Sequence, residues 1–174
     1  MASQPEQITN KQQPAATLPR KLSFRFRTLA DINEVLSYLS QWLPAADNFL
    51  LGIKEIMVNA VEHGNLGIGY ALKTDLLENG KWLNEVQTRL DKPENRNKFA
   101  FLEISFNDNT LEVTVEDQGA GFKPDQFLRA DNPPDGATNF NGRGLKLVNA
   151  LAFDRLAFSK GGRCFKGVKV LEEA

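Results

Sequence analysis

Three short segments, met in a fixed order, constrain what this chain can fold into more than any bulk property. Glu55-Ile56-Met57-Val58-Asn59-Ala60 has helical spacing, Asp117-Gln118-Gly119-Ala120-Gly121 ends an alternating run, and Gly142-Arg143-Gly144 opens a helical one. Together they bring a carboxylate, an amide oxygen, a second carboxylate at a strand end and two glycine turns of phosphate-compatible size. Any one of them is commonplace, and the ordered set is not.

The elements around these segments read directly from the periodicity of apolar residues. Residues 1–20 are rich in Gln, Pro, Ala and Thr and predict a disordered tail or linker, so the folded part is expected over 21–174. Leu22 to Arg27 alternates as an amphipathic strand, and Leu29, Ile32, Leu36 and Leu39 recur at helical spacing before Pro44. A second helix is expected over 47–63. There Phe49, Ile53, Ile56, Met57 and Ala60 form a face that buries against a sheet, while Glu55, Asn59, Glu62 and His63 share the opposite face. Residues 64–98 read as an insertion: a glycine loop (Gly64, Gly67, Gly69), then a helix carrying Leu72, Leu76, Leu83, Val86 and Leu90, then a polar connector from Pro93 to Lys98. Strands Phe99–Phe106 and Leu111–Asp117 follow, joined by the turn signal Asn107-Asp108-Asn109. The irregular stretch 122–141, with Pro124, Pro133, Pro134 and Gly136, fits a mobile lid. A helix over 143–153 and strands near Arg155–Ser159 and Cys164–Leu171 complete the chain, the last two meeting at Gly161-Gly162.

Composition removes several classes. With 21 basic and 22 acidic residues the formal net charge is -1, which leaves no strongly basic face for nucleic acid. The apolar runs are broken well short of a bilayer span, and the polar start from Ser3 to Gln13 is unlike a signal peptide. The single cysteine, Cys164, has no partner within the chain, which fits a reducing cytoplasm and a small apolar residue in a late strand.

The chemistry of the three segments is that of a magnesium–ATP site. Asn59 can give one oxygen to a magnesium ion that keeps water and phosphate as its other ligands. Glu55, one turn earlier on the same face, can take a proton from an attacking hydroxyl or water. Taken alone, Glu55 is a surface carboxylate. Asp117 can accept the exocyclic amine of adenine, which guanine lacks at that ring position, while Gly119 and Gly121 let the backbone pass close to a ligand. The same residues also read as a plain strand-end turn. Gly142 and Gly144 open a helix whose free N–H groups favour phosphate, with Arg143 and Lys146 adding charge, although a glycine-punctuated helix start with a basic pair has the same letters. His63, the sole histidine, is placed beside the site as a supporting group and not as a phosphoacceptor.

These residues resemble the Bergerat-fold ATPase superfamily, which holds the gyrase, chaperone, histidine-kinase and mismatch-repair ATPases. Asn59-Ala60-Val61-Glu62-His63-Gly64 is most similar to the anti-sigma-factor serine kinases, and the likeness spans about residues 22–171. The added segment from His63 to Tyr70 and its helix resemble a branch fused behind receiver and serine phosphatase domains, so the chain is expected to be a piece of a longer protein. The resemblance implies an α+β two-layer sandwich: a mixed, mainly antiparallel sheet with helices on one face, and ATP between the helices and the lid. It implies Glu55 as catalytic base, Asn59 as magnesium ligand, Asp117 with Gly119 and Gly121 at adenine, and Gly142 and Gly144 at the phosphates. It further implies a homodimer that phosphorylates a serine of a STAS-type anti-anti-sigma protein and binds a sigma factor, switching between partners.

Two positions depart from that pattern. Lys146 stands where relatives carry glycine, and Gly161-Gly162-Arg163-Cys164-Phe165-Lys166 lacks their Gly-Thr. Both keep alive a second reading, a module that sequesters its partners without kinase activity. A histidine-kinase catalytic domain fits less well, because no helix with a phosphoacceptor histidine precedes Leu22. A chaperone-like or topoisomerase ATPase fits least, since 174 residues leave no room for a transducer or client domain.

Overall fold

The computed structural model describes residues 20–43, 47–107, 109–121 and 152–171. The expected lid over 122–141 lies outside them, as do Gly142, Arg143, Gly144, Lys146 and all but the end of the expected helix over 143–153.

Alternating side chains produce the strands: β1 (Lys21–Phe26), β2 (Ala100–Asn107), β3 (Thr110–Glu116), β4 (Arg155–Ser159) and β5 (Cys164–Val170). They form one sheet in the order β1-β2-β3-β5-β4, and every pairing is antiparallel. No parallel pair occurs among the described residues, so the part of the expected sheet that is visible is its antiparallel part. The register aligns Phe24, Leu102, Val115, Phe165 and Phe158 across the sheet, and Leu22, Ile104, Val113, Gly167 and Leu156 beside them. These rows share one face, and burying them against helices drives the fold. The opposite face carries the exposed Phe101 and Val170 among charged residues, with the exposed pairs Lys21–Glu103 and Lys166–Glu112 at 2.8 and 2.7 Å.

Helix α1 (Leu29–Leu39) starts at a capping box: Asp31 N–H donates to Thr28 Oγ1 at 3.1 Å and Thr28 N–H donates to Asp31 Oδ2 at 2.9 Å. Its Ile32, Val35 and Leu39 join Phe49, Ile53, Ile56 and Met57 of α2 (Asp47–Asn59) in one core with the covered sheet face. Two expectations are corrected here. The helix expected to run to 63 stops at Asn59 and passes into a π-helical turn, Ala60–Asn65, where Leu66 N–H donates to Val61 O at 2.9 Å. The wider turn rotates Glu62 off the Glu55–Asn59 stripe and into the interior, where it is 0% exposed. The insertion, expected to carry one helix, carries two: α3 (Tyr70–Glu78) and α4 (Trp82–Asp91), separated at Asn79-Gly80, where Gly80 has a φ of +64°. Its leucines keep helical spacing within each helix, and the turn between them is invisible to that periodicity.

Candidate functional site

The π-helical turn at the end of α2 and the loop after β3 meet over the covered face of the sheet. Asn65 is the joint: it is 3% exposed, and its Oδ1 accepts the Gln118 N–H at 2.8 Å. Asp117 N–H donates to Arg163 O at 3.0 Å, which pins the start of the same loop to the turn before β5. The loop glycines are needed for this closeness. A Cβ on Gly119 would stand 2.0 Å from the Gly64 carbonyl oxygen, and one on Gly121, whose φ is +81°, would stand 2.2 Å from the Gly161 carbonyl oxygen. Both glycines therefore serve protein–protein approach within the fold, a reason the sequence reading did not supply.

Between these parts lies an open cavity of about 560 Å³, its mouth included. Ile56, Ala60, Val115, Phe158 and Phe165 make it largely apolar, and Asn59, His63, Tyr70, Asp117 and Arg163 supply its polar groups. Asn59 and Asp117, 58 residues apart in number as read from the sequence, thus face one space. Gly121 lines it, Gly119 sits behind it against Gly64, and Glu55 is half-buried one turn before Asn59, outside the lining.

The electrostatics of the walls follow from burial. Asp117 is 9% exposed, and burial raises its carboxyl above the ordinary aspartate range, opposed by the Gly119 N–H at 2.8 Å and by the Arg163 charge beside it. Burial pushes His63 down to about 4, so the imidazole is neutral at neutral pH. Its Nδ1 is bonded to Ile68 O, and because a carbonyl only accepts, Nδ1 carries the proton. The ring stacks on Tyr70 with centroids 4.0 Å apart and planes 30° apart. Burial, with Glu62 nearby, pushes the Tyr70 phenol up to about 12. Glu62 is raised by burial against the pull of Lys73, whose Nζ lies 2.6 Å from its Oε2.

The donor set fits a purine nucleotide better than a resident metal. Among the described residues no group of three or more His, Cys, Asp and Glu side chains could hold an ion. A magnesium ion arriving with its phosphates needs only one or two protein oxygens, and Asn59 offers one. An apolar slot ending in a nearly buried carboxylate suits a flat heterocycle with an exocyclic amine.

Sequence reasoning did not assign Asn65, Tyr70 or Arg163 to the site. Asn65 carries no periodic signal, and Tyr70 reaches the cavity only because α3 folds back over the π-helical turn. Arg163 stands in the hairpin noted for lacking Gly-Thr, which pointed to the right turn without saying what the new side chain does. Among the described residues no helix is long and apolar enough to cross a membrane.

No curated protein matches the chain. Residues 27–166 match the family model described as the histidine kinase-like ATPase domain, which spans both edges of the cavity and takes in β2, β3, β4 and the start of β5 but not β1. The chain therefore belongs to the histidine kinase-like ATPase domain family.

Proposed function

We propose that the chain is an ATP-binding protein serine kinase of the anti-sigma-factor type. It phosphorylates a STAS-type anti-anti-sigma protein, binds a sigma factor, and works in the cytoplasm as a homodimer. The observation that carries the nucleotide part is the convergence of Asn59 and Asp117 on one cavity inside the matched region. The kinase part rests on Glu55, one helical turn before Asn59, and on the resemblance of residues 59–64.

In this reading Asp117 accepts the adenine amine, and the apolar walls from Ile56, Ala60 and Val115 take the flat base. Asn59 holds magnesium, which neutralises phosphate charge when bound. Glu55 takes the proton of the substrate serine hydroxyl as its oxygen bonds the terminal phosphorus of ATP and ADP leaves. Gly142, Gly144, Arg143 and Lys146 are assigned to the phosphates by sequence alone.

The test is transfer of labelled phosphate from ATP to a STAS-type protein, with Glu55→Ala beside the unmodified chain. Glu55→Ala should abolish transfer while leaving nucleotide affinity largely intact. Loss of both together would count against the role given to Glu55. A second reading, a sequestering module without kinase activity, is favoured by Arg163, because a guanidinium beside Asp117 competes with a base amine for the carboxylate. Nucleotide binding without phosphate transfer to any serine would select it.

A further inference from the structure

We propose that Tyr70 contacts the bound nucleoside and that the helical insertion is a built wall of the nucleotide cavity. This rests on the nucleotide-binding reading above and names a further part of that site.

Tyr70 is the first residue of α3, and it lines the same cavity as Asn59 and Asp117. Its ring is stacked on His63, whose Nδ1–H bond to Ile68 O fixes the imidazole plane. With the imidazole neutral, the pair is an uncharged aromatic platform beside an apolar slot. Such a platform suits a planar heterocycle, and stacking of a base on an aromatic side chain strengthens binding on the order of 10-fold.

The ties that hold Tyr70 in place converge on the segment that shapes the cavity. From α3, Lys73 pairs with the fully buried Glu62 at 2.6 Å. From α4, Arg89 Nη1 donates to Leu66 O and Gly67 O, each at 2.9 Å. From the connector, Lys98 Nζ donates to Asn65 O at 3.1 Å, and Asn65 in turn accepts Gln118 N–H beside Asp117. A surface appendage needs none of these bonds. A buried ion pair is a weak source of stability and a strong source of fixed geometry, because a misplaced partner leaves a charge stranded. The ties therefore set the position of Tyr70 relative to Asp117.

The test is calorimetric binding of adenosine, ADP and ATP with magnesium to the unmodified chain, Tyr70→Ala and Tyr70→Phe. Because the contact is to the nucleoside, Tyr70→Ala should weaken all three ligands by the same factor, about 10-fold for stacking of this strength. Tyr70→Phe keeps the ring and should stay close to the unmodified affinity. A folded Tyr70→Ala that binds all three normally, or that loses only the phosphorylated ligands, overturns the inference and leaves the nucleotide reading standing. Absence of binding to the unmodified chain overturns both. Should Tyr70→Ala fail to fold, hydrogen exchange of the unmodified chain decides. Adenosine is expected to protect the first turn of α3 together with the Asp117 loop, and protection of the loop alone overturns the inference.

Discussion

Acidifying the protein from about pH 7.5 to about pH 4.5 works against the burial of His63. In the unfolded chain a histidine takes up its proton near 6.5, whereas in the folded chain burial holds His63 down to about 4. Below about 6.5 the unfolded state binds a proton that the folded state refuses, so stability falls as pH falls through that window. By linkage the loss at pH 4.5 is about 2–3 kcal/mol, approaching about 3 kcal/mol below both values. Glu62 and Asp117 work in the opposite sense, because burial raises their folded values and acidification relieves them. The comparison with His63→Phe removes their contribution. Phenylalanine keeps a ring against Tyr70 and loses the bond to Ile68 O, costing about 1 kcal/mol at either pH. Urea unfolding of both proteins at both pH values is the assay. The unmodified protein should lose about 2–3 kcal/mol more on acidification than the variant. Equal losses within error would refute the burial of a neutral imidazole at this position.

Three further outcomes follow from packing and charge. Gly64→Ala places a Cβ 2.4 Å from the Asp117 carboxyl carbon, so nucleotide affinity measured by calorimetry should drop at least about 10-fold as that carboxylate is displaced. Lys73→Met strands the buried Glu62 and should cost about 3–5 kcal/mol in urea unfolding; adding Glu62→Gln should recover a large part, since both charges are then gone. Lys21→Ala breaks only the exposed pair with Glu103 and should change stability by less than about 0.5 kcal/mol in the same assay.

β3 was legible because it alternates cleanly, with Val113 and Val115 buried and Glu112 and Thr114 turned away. The core face of α2 was legible for the same reason at a period of 3.6. Glu62 was misplaced because that period fails inside a π-helical turn, and nothing in the letters 60–65 announces the change. Its partner Lys73 lies 11 positions on in the sequence, in another helix, a separation at which no local spacing rule applies. Asn59 and Asp117 stand out in the sequence because their chemistry is specific, and Asn65 does not because its role is to hold a backbone N–H of a loop far away in sequence. Gly119 and Gly121 were placed at the site for one reason and are required there for another, the approach of the Gly64 and Gly161 carbonyls.

The central claim is that Asn59 and Asp117 bound one adenine nucleotide cavity. Calorimetric titration of the chain with ATP and ADP, with and without magnesium, tests it when Asp117→Asn and Asn59→Ala are run alongside. The account predicts binding by the unmodified chain, a loss of about 10- to 100-fold in Asp117→Asn as a charge-assisted bond to the base is removed, and loss of the magnesium dependence in Asn59→Ala. Full affinity in Asp117→Asn, or no binding by the unmodified chain, would contradict it.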